Sequence, residues 1–371
     1  MKNTSINLGQ IDYVTIKLGT NLLTPHIETP SDYFFQLAEQ IRALRVAHKK
    51  VLIVSSGAVG MGKQIVASRN VLNQNKTVTI RQKTALASIG QTTLMNTYNQ
   101  AFSRYGLIPA QILISKHDLL NRQHFNTLKD TLTQLLEWDI IPIINENDAV
   151  ATDELKFGDN DTLAGFIASI FDHSLLLLLT TVDAFYLKNR PVRIIRHFRE
   201  SYLKYAGVSS AGGSGGMKSK LIAGKKMMIS GQSMNISDGK NPQIISRLVA
   251  GELLGTWFLP QSGKTNARRR WLIHNRESLG EITVDAGAEK ALVSRRASLL
   301  IFGITSVKGN FTKNQIVDIF NTENVRIGKG IVQLSAEEIN QFLRETADKE
   351  SLEIKYHGKE VIHADTLVVL Q

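Results

Sequence analysis

Two clusters of carboxylates and carboxamides follow one short apolar run: Ile140-Ile-Pro-Ile-Ile144 leads into Asn145-Glu-Asn-Asp148 and then Gly158-Asp-Asn-Asp161. The run is too short to span a membrane and too dense for a half-exposed strand, so it reads as a parallel strand covered on both faces. Polar groups at its carboxyl end then lie where open α/β sheets bind ligands. Asn, Asp and Gly also make ordinary turns, and either cluster alone is explained equally well that way. Two of them after one strand favour chemistry. Lys17 closes the run Val14-Thr-Ile-Lys17 and is followed by Gly19 and Thr20, which can place an ammonium and backbone N–H groups on phosphate oxygens. A lysine snorkelling from a strand end is the competing reading. Ser55, Ser56 and Gly57 can cap a helix or offer hydroxyls and N–H groups to an anion.

The glycine-rich stretch Ser210-Ala-Gly-Gly-Ser-Gly-Gly216 runs into Met217-Lys-Ser-Lys220. A Walker A motif needs glycine directly before the Lys-Ser pair, and Met217 stands there, so this is not a P-loop. Its glycines still let a nucleotide phosphate approach the backbone, and a helix beginning near Met217 would aim Lys218 or Lys220 at it. A flexible linker beside a basic helix accounts for the same residues. No histidine pair has metal-ligand spacing and no Gly-x-Ser-x-Gly elbow occurs, which sets aside zinc and serine-hydrolase chemistry.

These residues need a scaffold, and the first 260 or so residues supply an α/β alternation. Val14–Lys17, Val51–Val54, Ile108–Ile114, Ile140–Ile144 and Leu175–Leu179 read as strands. Tyr33–His48, Thr84–Tyr105, Leu119–Trp138, Thr162–Phe171 and Met217–Ile229 read as helices. A mainly parallel sheet with helices on both faces is the expectation. The composition changes near Pro260-Gln-Ser-Gly-Lys-Thr-Asn266. Beyond it, Glu281–Val284, Ser298–Phe302, Ile304–Val307, Gln315–Phe320 and Thr366–Leu370 read as short strands of a small β-barrel with minor helix. The expected division is 1–262, a linker at 263–275, and 276–371.

The 371 residues are 43% hydrophobic, enough for two cores, and contain no cysteine. That excludes disulfides and thiolate chemistry and fits a reducing cytoplasm. The amino terminus lacks an apolar signal core and no run is long enough to span a bilayer, so a soluble, unprocessed protein is expected. The net charge is +11, which raises nucleic acid as a partner. Residues 266–371, however, hold 15 basic against 14 acidic side chains, while 188–226 carry ten Lys or Arg and one acid, Glu200. A positive field concentrated beside the glycine-rich loop suits a polyphosphate ligand, although a solvated basic face is commoner.

Taken in order, strand-Lys-Leu-Gly-Thr, Ser-Ser-Gly-Ala, Asn-Glu-Asn-Asp, Gly-Asp-Asn-Asp and Gly-Gly-Met-x-x-Lys resemble the amino acid kinase family, and within it the branch that phosphorylates the γ-carboxylate of L-glutamate. The resemblance continues through Gly280-Glu-Ile-Thr-Val-Asp285, Ala286-Gly-Ala288 and Ser306-Val-Lys-Gly-Asn-Phe311, which are similar to a PUA domain. It implies a three-layer αβα sandwich, with ATP as co-substrate, Mg2+ carried on the nucleotide phosphates, and the first step of proline biosynthesis. It also implies Lys17, Lys220 and Asp161 as catalytic, and Ser56, Asp148 and Asn160 as glutamate-binding. Lys17, Gly19, Thr180, Thr181, Ser214, Gly215, Gly216, Met217 and Lys220 would serve the nucleotide, with no independent metal cage. A homo-oligomer, proline feedback and a γ-glutamyl phosphate reductase as functional partner follow by the same resemblance. The family's usual acid after the fifth strand is here Thr181, with Asp183 two residues on, and Lys188–Val208 is shorter and more basic than expected. Asn314-Gln315 replaces a usual glycine turn of the PUA-like part. The competing readings are a related kinase with another carboxylate, carbamate or phosphate acceptor, and an RNA-binding PUA-like protein. The near-neutral C-terminal part disfavours the latter, because sequence-independent affinity comes largely from neutralised phosphates.

Overall fold

Strand β1 (Tyr13–Leu18) alternates its side chains between two different layers. Val14, Ile16 and Leu18 join a buried apolar cluster with residues of two long helices, which leaves Thr15 and Lys17 on the opposite face by the two-residue period of a strand. The computed structural model describes residues 5–24, 32–69, 78–115, 118–119, 122–150, 159–207, 216–261, 266–275, 278–295, 297–345 and 356–369. The chain divides into two units, Met1–Lys264 and Thr265–Gln371.

In the first unit β1 is followed by β2 (Lys50–Ser55), β3 (Pro109–Ile114), β4 (Ile141–Glu146) and β5 (Ser174–Thr180). Next come the short β6 (Tyr186–Leu187), β7 (Arg190–Pro191) and β8 (Ile194–Ile195), then β9 (Ser233–Asp238) and β10 (Thr256–Phe258). The main sheet has the order β3-β4-β2-β1-β5-β9-β10-β8. Its neighbours run parallel except for the antiparallel β9–β10 pair. The chain fills one side of β1 before crossing to β5 on the other, so the carboxyl ends of β1 and β5 flank a topological switch, where such sheets open a crevice.

The helices are α1 (Thr20–Leu23), α2 (Asp32–Val46), α3 (Ala58–Ser68), α4 (Ile80–Ser103), α5 (Arg122–Glu137), α6 (Asn160–Ala168), α7 (Met217–Ile229) and α8 (Ile244–Val249). Phe34, Leu37, Ile41 and Leu44 make the buried stripe of α2, three to four residues apart as an amphipathic helix requires. They pack with Leu94, Tyr98 and Phe102 of α4 against Val14, Ile53, Ile143 and Leu177 of the sheet. On the other face α6 is buried along its whole length from Asp161 to Ala168.

Three differences from the sequence reading have physical causes. Strand β9 was not anticipated, because Ser233-Met-Asn-Ile-Ser-Asp238 alternates polar with apolar residues; yet Ser233, Asn235 and Ser237 are buried. Asn235 donates to the Leu254 carbonyl at 2.9 Å and accepts from Ser237, which offsets the cost of burying polar groups. Helix α4 starts four residues before the expected Thr84, because Thr79 and Gln82 close a capping box. Helix α6 starts at Asn160 instead of Thr162, because Asp159 caps it, accepting from Thr162 N at 2.7 Å.

The second unit contains α9 (Ala267–His274), β11 (Gly280–Val284), α10 (Ala286–Arg295), β12 (Leu299–Leu300), β13 (Ile304–Gly309), β14 (Ile316–Phe320), β15 (Arg326–Val332), α11 (Ala336–Arg344) and β16 (Glu360–Val369). Its sheet runs β12-β16-β15-β14-β11-β13. The two edge strands β12 and β13 are separated by only Ile301–Gly303, and three residues reach about 10 Å at most. The sheet must therefore roll until its edges approach, giving the barrel-like form around Ile282, Val317, Ile319, Val332 and Ile339. Strand β15 was missed because Gly328 and Gly330 interrupt its pattern; a Cβ at Gly330 would lie 2.4 Å from Ile362 of β16.

Candidate active site

Lys17 sits one residue before the end of β1, its side chain turned toward the α6 layer. Helix α6 begins beside it, and two consecutive residues of its first turn diverge by about 100°. Asp161 goes to Lys17, while Asn160 goes to the turn after β2. The Lys17 Nζ is 2.7 Å from Asp161 Oδ1, and the Lys220 Nζ is 2.8 Å from Asp161 Oδ2. Lys220 lies in the first turn of α7, whose amino end is capped by Gly216, and Ser219 Oγ is 2.8 Å from both Asp161 Oδ2 and the Gly216 carbonyl. All three charged groups are buried, Asp161 completely. Burial alone would push the Asp161 carboxyl up, but the two ammonium groups outweigh it and hold the acid well below the usual carboxylate range. The clasp thus fixes two cations with one anion between them, a geometry suited to receiving an anionic group.

The second cluster is built from amides and hydroxyls. Asn160 Nδ2 lies 3.2 Å from the Ser55 carbonyl, 2.9 Å from Ser56 Oγ and 3.2 Å from Asn145 Oδ1. A carbonyl can only accept, so the Asn160 amide must turn its nitrogen to this side and its oxygen away. Gly57 makes the turn between β2 and α3 with φ of 105°, a left-handed conformation that favours glycine. Ser55 Oγ is 2.9 Å from the hydroxyl of Tyr98. Asn145, at the end of β4, is 3% exposed and donates to Gln91 Oε1 at 3.0 Å. Asp148 is half-buried in the turn that follows β4.

On the other side of β1, Gly19 N donates to the Leu179 carbonyl at 3.2 Å, which brings the Lys17-Leu-Gly segment against the end of β5. Thr180 ends β5, with Gly239 N donating to its carbonyl, and Thr181 is exposed just beyond. Asp183, two residues after the missing acid, accepts from the Tyr186 hydroxyl at 3.1 Å. Met217 opens α7 and is partly buried. Ser214 and Gly215 lie outside the described residues, as does Gly158.

The fold therefore joins Lys17, Asp161 and Lys220 in one contact network and Ser56 with Asn160 in another. The two are linked through adjacent residues of α6. Among the described residues, no three His, Asp or Glu groups come together as a metal cage.

The profile of the amino acid kinase family matches residues 12–237, a span that takes in both clusters. This chain belongs to the amino acid kinase family. The PUA domain profile matches residues 280–350, within the rolled sheet of the second unit. The glutamate 5-kinase of Trichlorobacter lovleyi is 37% identical over 375 residues, covering 98% of this chain and 98% of that protein. Those of Citrifermentans bemidjiense and Caldanaerobacter subterraneus are also 37% identical, over 373 and 369 residues, covering 98% and 96% of this chain and 99% and 98% of theirs.

Within this amino acid kinase, four contributors were not singled out as site residues from the sequence: Ser219, Asn145, Gln91 and Tyr98. Ser219 was quoted only as part of the glycine-rich motif. Asn145 was quoted as the first residue of the polar cluster after Ile144 but given no role of its own; it and Glu146 are the last two residues of β4. Gln91 and Tyr98 had no usable signal, because a helix of 24 residues offers many polar positions and only packing selects the two that meet the strand ends.

Proposed function

We propose that this chain transfers the γ-phosphoryl group of ATP to the γ-carboxylate of L-glutamate, giving γ-glutamyl phosphate and ADP as the first step of proline biosynthesis. The observation that carries the site assignment is the Lys17–Asp161–Lys220 clasp, with both Nζ atoms within 2.8 Å of one buried carboxylate. A γ-carboxylate is already ionised at neutral pH, so the reaction needs no general base. A carboxylate oxygen forms the new bond to phosphorus as the bond to the bridging oxygen of ADP breaks. The obstacle is repulsion between two anions, and fixed ammonium groups lower it most where charge accumulates in transfer. Lys17 and Lys220 serve as those groups on the acceptor and donor sides. Asp161 is their organiser and holds the two ammonium groups at a set separation.

Ser56 and the outward-turned Asn160 oxygen belong to the glutamate subsite, with Asp148 for the α-ammonium. Gly19, Thr180, Thr181, Ser214, Gly215, Gly216 and Met217 are assigned to the nucleotide. Both oxygens of Asp161 are committed to lysines, which leaves it unsuited as a metal ligand and fits Mg2+ arriving on the ATP phosphates. Residues 1–262 are assigned to catalysis and 276–371 to the PUA-like part. A homo-oligomer working in the cytoplasm, controlled by proline, completes the proposal. Its labile acyl phosphate would be consumed by a γ-glutamyl phosphate reductase.

The test is ADP release with Mg-ATP and L-glutamate, L-aspartate, N-acetyl-L-glutamate or no acceptor, with hydroxylamine present to trap acyl phosphate. Turnover confined to L-glutamate, with hydroxamate formed, is the expected result. Equal turnover with and without L-glutamate would overturn it.

A further inference from the structure

Gln91 is 8% exposed and its Nε2 meets no hydrogen-bond acceptor among the described residues. Its orientation follows from a relay of amides anchored on the backbone. The Glu146 N–H can only donate, and it donates to Asn145 Oδ1 at 2.9 Å. That directs Asn145 Nδ2 outward, where it donates to Gln91 Oε1 at 3.0 Å. Gln91 must then present its nitrogen, with two N–H bonds, on the side away from Asn145. A glutamine flipped the other way would set nitrogen against nitrogen and lose the contact.

The same relay locates this unpaired donor. Asn145 Oδ1 is 3.2 Å from the Nδ2 of Asn160, which contacts Ser56. Two turns further along α4, Tyr98 touches Ser55, so Gln91 and Tyr98 share the helix face that meets the carboxyl ends of β2 and β4. Close packing fixes the height of that face: a Cβ on Gly90 would lie 1.8 Å from the Ala58 carbonyl of α3. Leaving a buried amide donor unmade is costly, so one beside a site of polar groups calls for a partner that completes it.

We propose that Gln91 is a substrate-binding residue whose Nε2 donates to a carboxylate oxygen of the acceptor, while its Oε1 keeps Asn145 and Asn160 in register. This rests on the reading of the chain as an acceptor-carboxylate kinase and adds a donor to its acceptor subsite.

Gln91→Glu separates the two halves of the side chain. The carboxylate still accepts from Asn145 Nδ2, but the outward donor becomes an anionic acceptor that repels a carboxylate. The KM for L-glutamate should rise about 10- to 100-fold, as for loss of a hydrogen bond to a charged group, with the KM for ATP unchanged. A buried glutamic acid titrates well above its usual range, so the KM should fall again as the pH is lowered toward about 6, where the protonated acid can donate. Gln91→Met serves as the second variant, with thermal shifts induced by L-glutamate and by a non-hydrolysable ATP analogue read on each protein. Loss of the L-glutamate shift with retention of the nucleotide shift is expected in both variants. An unchanged KM for L-glutamate in Gln91→Glu, or a Gln91→Met protein that loses both shifts together, would overturn the assignment. Failure of the parent reading looks different: the wild-type chain itself would show no L-glutamate shift. If it instead turned over another carboxylate and Gln91→Glu raised the KM for that acceptor, the role of Gln91 would stand and the substrate would change.

Discussion

Asp161 is the residue on which the clasp depends, because its two oxygens bridge ammonium nitrogens that sequence places more than 200 positions apart. Removing it leaves two buried cations facing each other. Asp161→Asn is expected to destabilise the fold by about 3–5 kcal/mol, the usual cost of breaking a buried pair from one side. Chemical denaturation of both proteins at neutral pH measures it. Since the fold lowers this pKa below its ordinary value of 3.8, its stabilisation is complete above that value and is lost as pH falls through the lowered folded-state pKa. The stability gap between wild type and Asp161→Asn should therefore narrow on acidification below about pH 4. A gap that stays constant would mean the carboxylate is not the titrating group. Lys17→Ala and Lys220→Ala are each expected to lower kcat by about 100- to 1000-fold, as for a lost donor to developing charge. Initial-rate measurements at saturating substrates check this.

The contact between α3 and α4 is the element-scale feature that positions the acceptor side. Gly62 and Gly90 let the two helices touch backbone to backbone: a Cβ at Gly62 would fall 1.9 Å from the Leu86 carbonyl. Gly90→Ala must separate them, and overpacking of this kind costs about 1–3 kcal/mol. It should also raise the KM for L-glutamate, since Gln91 and Tyr98 move with α4. Thr79→Ala provides the contrast. It removes the capping box of the same helix at about 1 kcal/mol and should leave that KM unchanged. Thermal melts and steady-state kinetics on the two variants distinguish them; equal kinetic effects would show that the crossing does not position the site. The strands β1, β2, β4 and β5 were legible because each carries a run of buried apolar residues, on both faces in β2, β4 and β5 and on one face in β1. Strand β9 was not, because its polar residues are satisfied by partners as distant in sequence as Leu254.

At the scale of the whole molecule the two units have separate cores, one assembled from residues between Ile11 and Leu259 and the other from residues between Ile282 and Leu367. Calorimetry should therefore resolve unfolding that departs from a single two-state transition. Lys329 marks the second unit. It is 2% exposed, donates to the Asn275 carbonyl, and is lowered to about 8 from 10.5 by burial and by Arg326, with Asp318 opposing. Between those two values the unfolded chain binds the proton and the folded unit does not, so stability rises with pH across that window. The rise should appear in one transition, be lost in Lys329→Met, and leave the other untouched. The same pH response in both transitions would mean that the units unfold as one.

The order of motifs along the chain was enough to identify an α/β kinase scaffold and to single out Lys17, Asp161 and Lys220, and a change of composition pointed to a boundary near Pro260–Asn266. Burial periodicity and strand-end chemistry are local properties, but type alone left Lys218 and Lys220 open, and it was the resemblance that chose Lys220 and Asp161. The relay from Glu146 N–H through Asn145 to Gln91 was not readable in this way. It reaches Gln91 from Asn145, 54 positions away, through the packing of α4 against the strand ends. Which of several polar residues on a long helix becomes a donor in the site depends on the axial height and rotation of that helix. Two glycines set these by how closely they let α3 approach, and that information exists only once the helices have docked.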